Sequence, residues 1–119
     1  MTDTDSQVVA VVRDLFFIAR IRETARLAGV PLVFVRTPEE LTAALAIRPR
    51  FVLLDLTAGF DYGQVFDAVE TGGGAPVLGY TTHAMAARTQ PWHARCERVV
   101  TKETLTQELP ALLRDGVTA

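Results

Sequence analysis

The chain has 119 residues, 49% of them hydrophobic and 22% charged, which is the length and composition of one folded domain and too apolar for a disordered segment. A net charge of −2 gives no electrostatic pull toward nucleic acid, and the single cysteine, Cys96, excludes an internal disulfide and a cysteine-rich zinc site. No apolar run approaches the roughly 20 residues of a membrane span, and residues 1–7 are polar and acidic, unlike a signal peptide, so a cytoplasmic domain without membrane contact is expected.

In chain order, Val8-Val9-Ala10-Val11-Val12 comes first, a short apolar run rich in β-branched residues. Its lack of alternation predicts a strand buried on both faces. From Leu15 to Ala28 the residues Ile18, Ile21, Ala25 and Ala28 share one face, which predicts a helix ended by Gly29 and Pro31. Leu32-Val33-Phe34-Val35 is the second strand. Thr37-Pro38-Glu39-Glu40 is a helix start: Thr37 caps, Pro38 suits the first turn and Glu40 completes a capping box. Leu41, Ala44 and Leu45 supply that helix's buried stripe, and Pro49 closes it.

Phe51-Val52-Leu53-Leu54 is the third strand. A helix from near Asp61 to Glu70 follows, with Val65, Phe66 and Val69 inward, stopping at Gly72-Gly73-Gly74. Val77-Leu78-Gly79-Tyr80 is a weaker strand. The next helix falls within His83 to Cys96, where Pro91 predicts a break or kink. Val99-Val100 is the shortest strand. A last helix places Leu105, Leu109, Leu112 and Leu113 on one face, with Pro110 leaving its first turn undefined. The βα alternation calls for a parallel sheet between helices, in the flavodoxin-like order 2-1-3-4-5. The expectation is one domain over 1–119, with residues 1–7 and 115–119 as loose ends.

In such a sheet ligands bind beyond the carboxyl ends of the strands. Those ends carry Arg13 and Asp14 after strand one, Asp55 after strand three, Thr81, Thr82 and His83 after strand four, and Thr101 and Lys102 after strand five. The predicted order gathers two carboxylates, a hydroxyl and an ammonium on one rim.

This set resembles the receiver domain of two-component response regulators, over nearly the whole chain in element order and length. The resemblance implies that Asp55, in Val52-Leu53-Leu54-Asp55-Leu56, sits at the phosphoacceptor position. It also implies that Asp14 and Asp55 would hold Mg²⁺ if it binds, that Thr81 would bond the phosphoryl group, and that Lys102 would pair with it. Mg²⁺ and an ammonium suit that chemistry because charge develops on the phosphoryl oxygens during transfer.

The sequence also departs from the family. An acidic pair usually ends strand one, whereas here it is Arg13-Asp14. The Met-Pro after the acceptor is missing from the Ala58-Gly59 stretch, Glu103 replaces the proline after the strand-five lysine, and Arg98-Val99-Val100 carries no aromatic switch residue. A guanidinium in place of a carboxylate moves the local charge by two units, each worth roughly 3 kcal/mol at about 5 Å and an effective dielectric of about 20. Arg13 is therefore expected to bridge Asp14 and Asp55 in the metal's place, so that no cofactor is needed.

The reading is a stand-alone atypical receiver, a pseudo-receiver that is not an enzyme and works by protein–protein interaction. Its partners would be signalling proteins, a histidine kinase or a second copy of itself, met on a surface with Arg88, Trp92, Arg95 and Arg98. The alternatives are a working phosphorelay acceptor at Asp55 and a small ligand-binding or enzymatic flavodoxin-like domain; no nucleophile–base pair supports the enzyme. Plainer roles compete for each residue: Asp14, Asp55 and Thr81 as caps or turn formers, Lys102 as a solvated first-turn residue, and Trp92 as sheet-edge packing.

Overall fold

The computed structural model describes residues 7–117. Its five strands are β1 (Val8–Val11), β2 (Leu32–Phe34), β3 (Phe51–Asp55), β4 (Val77–Thr81) and β5 (Arg98–Thr101). The helices are α1 (Leu15–Ala28), α2 (Pro38–Leu45), α3 (Tyr62–Thr71), α4 (Ala86–His93) and α5 (Lys102–Asp115). All strand pairs are parallel, in the order β2-β1-β3-β4-β5. This is the flavodoxin-like arrangement that the unbroken apolar runs imply.

Side chains alternate between the two faces of the sheet, which creates two core layers. Val8, Ala10, Phe51, Leu53, Leu78 and Tyr80 pack against α1 and α5 through Phe17, Ile21, Leu105, Leu109 and Leu113. Val9, Val11, Val52, Leu54 and Val77 pack against α2 and α3 through Leu41, Leu45, Val65, Phe66 and Val69. Both sheet faces are dry, which is why no strand alternates apolar with polar.

Caps place the helices. Asp14 accepts from the amides of Phe16 (3.0 Å) and Phe17 (3.3 Å) at the start of α1, and Gly29 closes that helix in the left-handed conformation at φ 71°. Thr37 accepts from the Glu40 amide at 3.1 Å. The Glu40 carboxylate reaches the amide of Arg36 at 2.7 Å, one residue short of Thr37.

Two expectations about proline are corrected. Helix α4 runs through Pro91 without a break. The missing amide and the ring affect only the carbonyl four residues back, on exposed Ala87, and the helix ends two residues later. A 3-10 turn, His83–Met85, precedes α4. Helix α5 likewise runs through Pro110, and its first turn is well defined, with Thr101 accepting from the Thr104 amide at 3.1 Å.

The expected loose ends are shorter within the described residues. The Gln7 carbonyl accepts from Arg50 at 2.7 Å, Asp115 completes α5, and Val117 packs against the core. Residues 1–6 and 118–119 of that expectation lie outside the described residues. No described helix is long and apolar enough to cross a membrane.

Candidate functional site

The carboxyl ends of β1, β3, β4 and β5 form the rim, and strand parity decides which side each residue joins. Asp55 ends β3 on the α1/α5 side, in phase with Phe51 and Leu53. It is 4% exposed. Its Oδ1 accepts from the amide (2.8 Å) and the hydroxyl (2.7 Å) of Thr57. Its backbone carbonyl accepts from the Tyr62 hydroxyl at 2.7 Å, and that hydroxyl accepts from the Ala58 amide at 3.0 Å. The loop after β3 is thus tied back to α3.

Lys102 opens α5 and crosses to α1. Its Nζ donates to Asp14 Oδ2 at 3.1 Å and lies 4.7 Å from the centre of the Phe17 ring. This hydrogen bond holds the Asp14 carboxyl below its ordinary value, with further help from the Phe17 and Phe16 amides. The ion pair is partly exposed, at 40% for Lys102 and 41% for Asp14.

Tyr80, paired in register with Asp55, fills the space behind the rim. It is 1% exposed and its ring meets Phe17 edge-on at 5.2 Å. Its hydroxyl has no hydrogen-bond partner among the described residues. Burial first, then the negative charge of Asp55, push the phenol well above its ordinary value, so it stays neutral. Nothing in the sequence reading singled out Tyr80; its phase with Asp55 across the β3–β4 register was the available signal.

Arg13 does not bridge the two aspartates. Its Nη1 donates to the Ala58 carbonyl at 2.9 Å, and its guanidinium carbon lies 4.4 Å from the centre of the Phe60 ring. The reason is parity. Arg13 follows Val9 and Val11 onto the α2/α3 side, whereas Asp14 and Asp55 belong to the other side.

The same rule separates the two threonines after β4. Thr81 is buried on the α3/α4 side, where its hydroxyl accepts from Thr89 at 3.0 Å. Thr89 also meets His93 Nε2 at 2.8 Å. Thr82, one residue on, lines an open cleft with Asp14, Phe17 and Lys102, and its Oγ1 caps the 3-10 turn by accepting from the Met85 amide at 3.2 Å. Of these two threonines, Thr82 is the one that shares the cleft with Lys102.

Three of the four residues expected on a partner surface are occupied within the chain. Trp92 stacks on Phe66 at 5.9 Å and 17° and tilts against Tyr62 at 5.8 Å. Arg95 reaches Glu70 at 3.0 Å and Asp67 at 3.3 Å. Arg98 pairs with Glu108 at 3.0 Å. Arg88 is exposed. Of the large apolar side chains left to solvent, Phe16 (92% exposed) and Leu15 (72%) adjoin each other in the first turn of α1, next to the capping Asp14, while Leu27 and Ile47 lie apart from them. Cys96 packs against Gly79, and burial raises its thiol to about 11, so it stays protonated.

Among the described residues no three His, Cys, Asp or Glu side chains gather where they could hold a metal ion. Of the four carboxylate oxygens of Asp14 and Asp55, two are taken up by local amides and the Thr57 hydroxyl, and one by Lys102. Only Asp55 Oδ2 has no hydrogen-bond partner of this kind.

No protein-family model matches the sequence, and no curated protein matches it. Solved structures do match the fold. A response regulator from Hahella chejuensis is similar with a TM-score of 0.73 and 17% identity, over 95% of this chain and 98% of that one. The receiver domain of a sensor histidine kinase from Pseudomonas aeruginosa, described with a magnesium ion coordinated in its active site cleft, is similar with a TM-score of 0.75 and 15% identity, over 95% and 98%. A de novo designed Rossmann 2x3 protein is similar with a TM-score of 0.69 and 16% identity, over 95% and 93%. The fold is that of receiver domains, and a designed protein shares it, so function must be argued from the rim.

Proposed function

We propose that the chain is a receiver-like signalling module that works by protein–protein contact, without Mg²⁺-dependent phosphorylation. The observation that carries this reading is the Lys102–Asp14 ion pair at 3.1 Å. It places an ammonium on the carboxylate that would otherwise face a cation. Mg²⁺ takes about six oxygens in near-octahedral geometry, several of them water, and is anchored by one or two carboxylates. With Asp14 ion-paired to Lys102, one unengaged carboxylate oxygen, on Asp55, is left to anchor it. Freeing Asp14 Oδ2 for a cation would cost the ion pair, while Oδ1 stays engaged as the cap of α1.

The contact surface that fits this reading is the first turn of α1. Phe16 and Leu15 stand exposed beside a fixed positive and negative charge. An apolar anchor with a charged rim is the usual anatomy of a protein contact. The partner would be another signalling protein, a histidine kinase or a second copy of the chain. In this reading the module acts in the cytoplasm, by contact rather than by catalysis.

A second reading has a specific observation behind it. Asp55 Oδ2 accepts none of the hydrogen bonds that engage Oδ1, and at the same rim Lys102 and Thr82 line one cleft with Asp14. Treatment with acetyl phosphate and MgCl₂, followed by intact-mass measurement, separates the two. Unchanged mass is expected. A phosphoryl adduct that disappears in Asp55→Asn would establish the acceptor instead.

A further inference from the structure

Beyond the acidic rim, the chain has a cavity of about 220 Å³ on the α2/α3 side of the same sheet edge. We propose that this cavity binds a compact organic carboxylate with an apolar body, its charge held between Arg13 and Arg36.

The floor is aliphatic: Val11, Val35, Leu41 and Val65 line it, and all four are buried. None of these side chains offers a hydrogen bond, so whatever rests on them must be apolar there. The mouth is different. Arg13, Arg36 and Phe60 all face it. Arg13 is already held in place, laid on the Phe60 ring at 4.4 Å with Nη1 on the Ala58 carbonyl at 2.9 Å. Its other guanidinium N–H groups form no hydrogen bond among the described residues. The Arg36 side chain has no ion-pair partner among them either.

Asp61 is the one acidic residue of the lining, and its Oδ1 accepts from the Gln64 amide at 3.1 Å as the cap of α3. Two guanidinium groups against one capped carboxylate leave the lining with a net positive charge. A guanidinium presents parallel N–H donors that match the two oxygens of a carboxylate. The cavity is smaller than the roughly 300–1,000 Å³ of pockets for drug-sized ligands, so the body must be short. A branched aliphatic chain or one aromatic ring fits that description. The position agrees with the general rule for open α/β sheets, whose ligands sit beyond the carboxyl ends near the β1/β3 switch point.

The site involves neither Asp55 nor Lys102, so its test is independent of phosphorylation. ¹⁵N-labelled protein is titrated with 3-methylbutanoate and with benzoate, and in parallel with the corresponding neutral amides and with inorganic phosphate. Saturable shifts at Gly59, Phe60 and Leu41 are expected for at least one carboxylate, with Kd of the order of 1 mM. Binding should weaken about tenfold or more in Arg36→Gln and in Arg13→Gln, and for the neutral amides. Absence of saturation with both carboxylates overturns the proposal. So does unchanged binding in both variants, or phosphate binding as tight as the carboxylates, since the aliphatic floor would then contribute nothing.

Discussion

Asp14 does two jobs with two oxygens. Oδ1 caps α1 and Oδ2 takes the Lys102 ammonium. Substitutions can separate these jobs. Asp14→Asn keeps a capping oxygen and loses the charge, which should cost less than about 1 kcal/mol because the pair is partly exposed. Asp14→Ala loses the cap as well and should cost about 1–2 kcal/mol in urea unfolding at neutral pH. The carboxyl is held below its ordinary value in the folded state. Its stabilising contribution is therefore complete above the unfolded value of about 3.9 and disappears as the pH falls through the folded one. In Lys102→Gln the Asp14 carboxyl should titrate at higher pH than in the parent when followed by carbon NMR. An unmoved midpoint would mean the pair does not form in solution. Tyr80 gives a test of opposite sign. Its buried hydroxyl is unpartnered among the described residues, so Tyr80→Phe should be neutral or stabilising by up to about 1 kcal/mol. A loss larger than that would show a hydrogen bond to Asp55. The chemistry at the strand ends was legible in the sequence because charged residues directly after apolar runs have nowhere to be but the rim. The destination of the Arg13 guanidinium was not, since its acceptor, Ala58, is 45 residues away in a loop. Parity along Val9, Val11 and Arg13 would have assigned the side.

Elements were legible where burial alone shapes them. The four inward leucines of α5 and the stripe of α2 follow from periodicity because each helix has one dry surface to satisfy, and β1 and β3 follow from unbroken apolar runs because both their faces are dry. Helix α4 was harder. Thr89 is its one buried residue, and it is held by polar contacts to Thr81 and His93, which leave no apolar period to find. The prolines misled because the rule against proline in helix interiors concerns one carbonyl and one ring contact, both tolerable on an exposed face. The contact of β4 with its neighbours also depends on something no period reveals. A Cβ on Gly79 would lie 2.9 Å from both Cys96 Sγ and Leu56 Cδ1. Gly79→Ala should therefore destabilise by about 1–3 kcal/mol through overpacking. Cys96→Ala in the same chain should restore part of the loss, measurable as a double-mutant cycle. Strict additivity of the two changes would place the strain at Leu56 instead.

Across the whole molecule, the sheet sorts its edge chemistry by side. Asp14, Asp55, the Lys102 ammonium and the buried Tyr80 phenol lie toward α1 and α5, while Arg13, Arg36 and Phe60 line the cavity toward α2 and α3. Arg13 thus lies out of contact with Asp14 and Asp55. The cation set against the acidic rim is Lys102. This distinction predicts how the folded state responds to a divalent ion. A site with Kd near 1 mM would gain about 1.4 kcal/mol in 10 mM ion by mass action, since only the folded chain assembles it. For a domain of this size that is a rise in Tm of roughly 5 °C or more. Because Mg²⁺ must first displace an ammonium before a second carboxylate can anchor it, the expected shift between 10 mM MgCl₂ and NaCl of equal ionic strength is under about 1 °C. In Lys102→Gln the ammonium is gone and Asp14 Oδ2 is released, so any latent affinity should surface there first. A rise of several degrees already in the parent chain, lost in Asp55→Asn, would mean that the pair yields to the ion and that the rim works as a metal-dependent acceptor.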